Sequence, residues 1–344
     1  MRSITGEVSS APVGDAEPDV VRGGGGWRGL AWLTWRQHRW LVAITALAVL
    51  AEAAAMLATS RAIRSHSPCP ENSACVAQLS RYTSLAELQI ALVVILPGLV
   101  AAFWGAPLVA QEYEQRTHLL VWAQDITPRR WLVAKVVLMG ALALILAVAL
   151  GAAAQHLAHA LNAAMPPDGY GDPRSMFESR YFEASPTVVA AYTFCGFALG
   201  AAAGAVSRRT VPAMGATIAV FTGFRLLTLS FLRPHYLPAK TALGPLDEPP
   251  KTGPDALDLV NSVYFADANG HPAREPLRCV GIASEASESP VPWQRCMRGH
   301  GITHTFLTYQ PGSRIPVFQL IEAGIFVALA VVFLGVAWYR VRRI

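Results

Sequence analysis

Two ionisable residues, Glu52 and Arg225, stand inside long apolar runs. A charge near the centre of a bilayer helix costs roughly 2.5–3.5 kcal/mol on insertion scales. Pairing, or a wet cavity, would offset that. Counted at about 1.5 Å per residue from the inner helix ends, both lie roughly 20 Å deep. Either they face the bundle or dimer interior, where they can contact each other, or each snorkels towards the outer headgroups. Glu322 stands near the outer end of the last apolar run, where an interfacial position is expected. Cys69 with Cys75 and Cys279 with Cys296 make two local pairs suited to disulfides, although four cysteines allow three connectivities. Neither pair has the C-x-x-C spacing of a zinc site. Cys195 sits inside an apolar run and reads as a small packing residue. His156 with His159, and His300 with His304, could each share a helical face, but no third metal ligand accompanies them. The chain contains no G-x-x-x-x-G-K-[ST] phosphate cradle, no H-E-x-x-H and no G-x-S-x-G. Catalytic residues, cofactors and metals are therefore expected to be absent from this chain.

The elements that position these residues follow from composition. Of 344 residues, 53% are hydrophobic and 15% are charged, against roughly 25% charged in a soluble domain. Much of the surface is therefore expected to face lipid. The net charge of +5 comes from basic residues beside apolar runs. They read as topology signals, not as a nucleic-acid footprint. Six runs are long enough to span a bilayer: Trp40–Thr59, Leu88–Ala110, Trp131–His156, Pro186–Val206, Val211–Leu232 and Pro316–Tyr339. The fourth and fifth are joined only by Ser207–Thr210, a tight helical hairpin. The expected fold is an all-α integral membrane protein: a disordered cytoplasmic tail over 1–27, then a six-helix domain over 28–344. The tail is no signal peptide, because the first apolar run starts late and is long enough to span.

Arginine placement sets the orientation. The segments holding Arg28, Arg36 and Arg39, then Arg116, Arg129 and Arg130, then Arg208 and Arg209, then Arg340, Arg342 and Arg343 are short and rich in arginine. The positive-inside rule places them, and both termini, in the cytoplasm. The large loop over 233–315, before the last span, is then extracellular. All four paired cysteines fall outside, where disulfides persist. Asn269-Gly270 in this loop resembles a hairpin turn, and a small ordered cap is expected.

Two cytoplasmic segments could carry mechanism. Trp27, Trp32, Trp35 and Trp40 alternate with Arg28, Arg36 and Arg39. This pattern suits a helix lying on the inner leaflet and bending into the first span. The stretch from Gln111 to Trp122 carries Glu112, Glu114 and Arg116 among apolar residues, and suits a helix that docks a soluble partner. Thr127 and Pro128 are the N-cap and first residue expected of the third span. Within the membrane, Gly196, Gly200 and Gly204 form a small-residue face for close helix approach. Pro97, Gly98 and Pro107 predict a kink in the second span.

An acidic stretch, a threonine, a paired leucine (Leu119-Leu120), a break, then Arg129, Arg130 and Lys135 entering the next span resembles the coupling-helix region of type-2 ABC exporter permeases. The runs from Trp32 to Arg39 and from Tyr309 to Arg314, followed by Phe318-Gln319 and Ile321-Glu322, resemble actinobacterial members. The resemblance covers most of the chain from about residue 28. It departs at Arg116, where the family often has glycine before the threonine. The resemblance implies a permease of six spans that forms a dimer with a second copy or a paralogue. A separate cytoplasmic ATPase would bind ATP and magnesium. The segment near Trp32 would be the elbow helix, and Glu112, Glu114, Arg116 and Thr117 would face that ATPase. The location implied is the bacterial plasma membrane. An ion-coupled secondary transporter and a non-transporting sensor or assembly protein are the competing classes. For the former, Glu52 is the one plausible deep acid.

Overall fold

In a computed structural model of the chain, residues 27–67, 73–116, 127–164, 176–247, 257–269, 271–276, 279 and 291–343 are described. Among them, six helices are long and apolar enough to cross a membrane: Trp27–Ser65, Ala74–Glu114, Pro128–Ala163, Pro186–Ser207, Thr210–His235 and Gly312–Arg342. Each contains one of the six expected runs and outlasts it at one or both ends. Polar flanks continue a helix as readily as apolar residues do while no glycine or proline interrupts them.

The first helix shows this most clearly. α1 (Trp27–Ser65) is continuous over 39 residues. The interfacial segment and the first span therefore form one continuous helix, with no break between them. Between Leu30 and Ser65 there is neither glycine nor proline, so nothing interrupts the hydrogen-bond ladder. At 1.5 Å per residue the helix is about 58 Å along its axis, nearly twice the hydrocarbon thickness. Trp32 and Trp35 are exposed on it, while Leu30 and Thr34 are buried.

The second span does change geometry where prolines were placed. α2 (Ser73–Val100) runs into a wider π-helical turn at Ala101–Gly105, and α3 (Ala106–Glu114) completes the span. Pro107 has no N–H to return to the carbonyl one turn back, and the looser turn directly precedes it. The glycine face of the fourth span meets this turn. A Cβ on Gly200 would lie 2.4 Å from the Ala101 carbonyl oxygen, and one on Gly204 would lie 2.5 Å from that of Ala106. The backbones can touch there only because both glycines lack side chains.

α4 (Pro128–Ala163) follows, with Thr127 as N-cap accepting from the Arg130 N–H at 3.5 Å, as expected. The one-turn helix α5 (Ser179–Glu183) leads into α6 (Pro186–Ser207). α6 is the central helix, buried along most of its length and packed by α2, α3, α4 and the two spans that follow it. It ends at Arg208, whose left-handed φ of 54° turns the chain directly into α7 (Thr210–Leu227). A second π turn at Thr228–Leu232 and a 3-10 turn at Arg233–His235 complete the fifth span.

Among the described residues, the long connection before the last span is mostly β-structure. Strands β1 (Lys240–Pro245), β2 (Leu257–Asp267), β3 (Pro272–Ala273) and β4 (Ile302–Gln310) form an antiparallel sheet in the order β1-β4-β2-β3. The all-α reading thus holds for the spans, and the cap departs from it. The Asp267 carboxylate accepts the N–H groups of Asn269 and His271 at 2.8 and 2.9 Å, closing the β2–β3 hairpin. Gly270 of the expected turn lies outside the described residues. α8 (Val291–Gly299) packs on the sheet through Trp293 and Met297. The Cys279–Cys296 disulfide joins α8 to the segment after β3. α9 (Ile315–Arg342) then returns along α6.

Candidate functional site

With six spans, the two terminal ends and the end of α3 share one side of the bundle, and the sheet occupies the other. On the terminal side, three consecutive residues fasten the last turn of α3 to three places. The carboxylate of Glu112 accepts from the ammonium of Lys135 on α4, and this ion pair is buried. The ring of Trp131 lies 5.0 Å from the same ammonium. Tyr113 carries the guanidinium of Arg208, from the α6–α7 turn, 5.7 Å from its ring centre. The carboxylate of Glu114 accepts from the Thr210 N–H at 3.1 Å and its hydroxyl at 2.7 Å. It thereby caps α7, whose own N-cap residue, Arg209, supplies no side-chain bond. An anion at a helix N-terminus is also favoured by the helix dipole.

Glu112 was expected on a docking face and is instead turned inward, because burial leaves Lys135 its best neutralising partner. Glu114 is exposed but engaged with α7. Arg116 is exposed, with a left-handed φ of 56°. This is the position where the resembling family often has glycine, and the backbone keeps the conformation that glycine adopts freely. Thr117, and the rest of the segment up to Thr127, lies outside the described residues.

On the sheet side lies a buried charge cluster. Arg233 grips Glu322 with two bonds, Nε to Oε2 at 3.0 Å and Nη2 to Oε1 at 2.7 Å, and its Nη2 also reaches Glu183 Oε1 at 3.2 Å. Arg225 donates to the other oxygen of Glu183 and, at 2.9 Å, to the Val94 carbonyl. Tyr192 and Tyr236 both donate to Glu322, the latter at 3.1 Å. Ser179 donates to Glu183 at 3.0 Å. Burial, and then the adjacent Glu322 carboxylate, push the Tyr236 hydroxyl pKa up, so it remains a donor. Two carboxylates and two guanidiniums balance, and Arg233 lies 4.2 Å above the Phe182 ring. The cluster ties α5, α6, the end of the fifth span and α9 into one block.

This arrangement overturns two expectations. Arg225 does not pair with Glu52, because Glu183 takes its guanidinium. Glu322 is fully buried and does not sit at an interface. Glu52 lines a groove between α1 and α2, and no described residue hydrogen-bonds its buried Oε1. Composition does not mark Glu183, because it stands in the connection before the Pro186 span and outside every apolar run. Its usable signal is an acid two residues before a Ser-Pro helix start, matched by Arg233 just after the fifth span. Of the cysteines, Cys279 and Cys296 pair as proposed, Cys75 is disulfide-bonded, and Cys195 is buried and free. Cys69 lies outside the described residues. His156 lies beside Arg64, with Nε2 3.0 Å from Nη2. His300 neighbours Cys279 and Cys296, whose sulfurs are joined to each other and do not act as thiolate ligands.

Six long apolar helices, one of them a glycine-faced central helix, define a multi-pass membrane protein. A family model described as ABC-2 membrane transporter related matches residues 39–233, more than half of the chain. The chain belongs to that family, whose members are ABC-2 type permeases. The match ends at Arg233, before the sheet and the last span. No curated protein matches the chain significantly, and no solved structure does.

Proposed function

We propose that the chain is the transmembrane permease subunit of an ATP-driven exporter. It works as a dimer with a second copy or a paralogue in a bacterial plasma membrane, with both termini in the cytoplasm. ATP and magnesium bind a separate cytoplasmic ATPase that docks on the terminal side of the bundle. The observation that carries this reading, beyond family membership, is the anchoring of the last turn of α3. Residues 117–126 follow it directly, and the buried Glu112–Lys135 pair joins the two helices that flank them. Glu114 and Arg208 extend the attachment to α7 and the α6–α7 turn. A pull on this segment would therefore move α3, α4 and α7 together.

The arginines neutralise Glu183 and Glu322 and leave neither carboxylate available to load and release a cation, so an ion-coupled reading rests on Glu52 alone. The test is copurification with a cytoplasmic ABC ATPase from the same cell. Wild-type protein should retain it, and Arg116→Glu should weaken retention without reducing the amount of permease in the membrane. Failure of the wild-type chain to retain any such ATPase would sink the reading.

A further inference from the structure

The surface between α1 and α2 carries a groove whose chemistry changes along its length. Its deeper stretch encloses about 470 Å³ and is walled by apolar residues such as Ile44, Val49, Leu92 and Leu96. Towards the terminal side it continues into a second stretch of about 460 Å³, sharing Leu41, Phe103 and Trp104. There the walls become polar, with Gln111, Gln115 and Thr210. The two stretches adjoin at Leu41, Phe103 and Trp104. At the deep end of the groove stands Glu52, the one ionisable group among the described residues lining the deeper stretch. Its Oε1 is buried with no hydrogen-bond partner among the described residues. Arg225, the cation deep enough to neutralise it, is held by Glu183.

We propose that this groove binds an amphipathic organic cation, entering from the inner leaflet with its charge seated against Glu52 and its apolar body between α1 and α2. A carboxylate in an apolar wall is poorly solvated, and a cation beside it in the groove offsets that cost by charge attraction. The volume suits a drug-sized molecule. The exposed ring of Phe103 and the ring of Trp104 flank the path where the cation would pass, and aromatic faces attract such charges. A phospholipid fits less well, since its ammonium is confined to the headgroup layer. Glu52 lies about eleven residues further along α1 than Leu41, roughly 16 Å deeper.

The inference deepens the permease reading by naming a substrate class. Its test needs neither ATP nor the partner, so the two can fail separately. Purified full-length chain in lipid nanodiscs is titrated with tetraphenylphosphonium and, in parallel, with neutral triphenylphosphine oxide. Wild type should bind the cation saturably. Glu52→Gln should weaken that binding roughly tenfold or more while leaving the neutral compound unchanged, and Glu52→Asp should retain most of it. Ala48→Trp, which fills the groove, should lower binding of both compounds. Equal cation affinity in wild type and Glu52→Gln, or no saturable binding by wild type, overturns the proposal. So does a loss of dimer mass in Glu52→Gln without any effect on the cation, since that outcome assigns the groove to a second copy. If Glu52→Gln does not elute as a folded species, the Ala48→Trp and Glu52→Asp titrations decide, and unchanged cation binding in Ala48→Trp overturns it.

Discussion

Arg233 shows how a single side chain can depend on its partners. Its guanidinium is almost fully buried and is satisfied by Glu322 and Glu183 together. Removing one member of such a set strands the other charge, which costs about 3–5 kcal/mol. Glu322→Gln should therefore lower the apparent unfolding temperature in detergent sharply. Adding Arg233→Met should recover much of the loss, because Glu183 keeps Arg225. A double variant as unstable as the sum of the single ones would contradict a coupled cluster. Arg116 is a smaller case. A non-glycine residue at positive φ carries strain of about 1–2 kcal/mol, partly offset by the greater freedom of glycine in the unfolded chain. Arg116→Gly is expected to raise stability by about 1 kcal/mol or less, read from the same unfolding curves. A decrease would mean that the Arg116 side chain contributes more than its backbone loses.

At the scale of the element, the contact between α6 and the second span is the most demanding. The Gly196, Gly200 and Gly204 face was legible from its four-residue spacing, but the helix it meets was not. Spacing specifies which face is small and carries no address for the partner. The partner proves to be the turn at Ala101–Gly105, where two prolines bracket a widened helix. Gly200→Ala would drive a Cβ against backbone atoms of Ala101, Gly105 and Ala106, none of which can rotate away. Loss of most folded protein is expected, measured as the monodisperse fraction after solubilisation. Gly223→Ala, in α7, meets nothing within 4 Å and should leave that fraction unchanged. Similar outcomes for both variants would show that helix propensity outweighs the close approach.

At the scale of the whole molecule, the two ends of the bundle divide the work. The terminal end gathers the attachments of α3, and the far end carries the charge cluster and the disulfide-linked sheet. The proposed orientation predicts opposite labelling of the two ends. A cysteine replacing exposed Gln115 should react with a membrane-impermeant maleimide only after cells are opened. One replacing exposed Tyr264 in β2 should react in intact cells. The reverse pattern would place the α3 end outside the cytoplasm and remove the proposed docking face.

Six spans, the tight hairpin at Ser207–Thr210, the N-cap at Thr127 and the Cys279–Cys296 pairing were all legible in the chain. Each depends on local composition, on a run of apolar residues or on neighbours close in sequence. The pairings of Arg225 and Arg233 with Glu183 and Glu322 were not legible, because they join residues 42 to 89 positions apart. Nor was the strand order, in which β4 enters between β1 and β2. Hydropathy is a sum over consecutive residues and decides what enters the bilayer. Which buried charge finds which partner is decided by the packing of helices in three dimensions, where an acid from a one-turn helix can displace one from the first span.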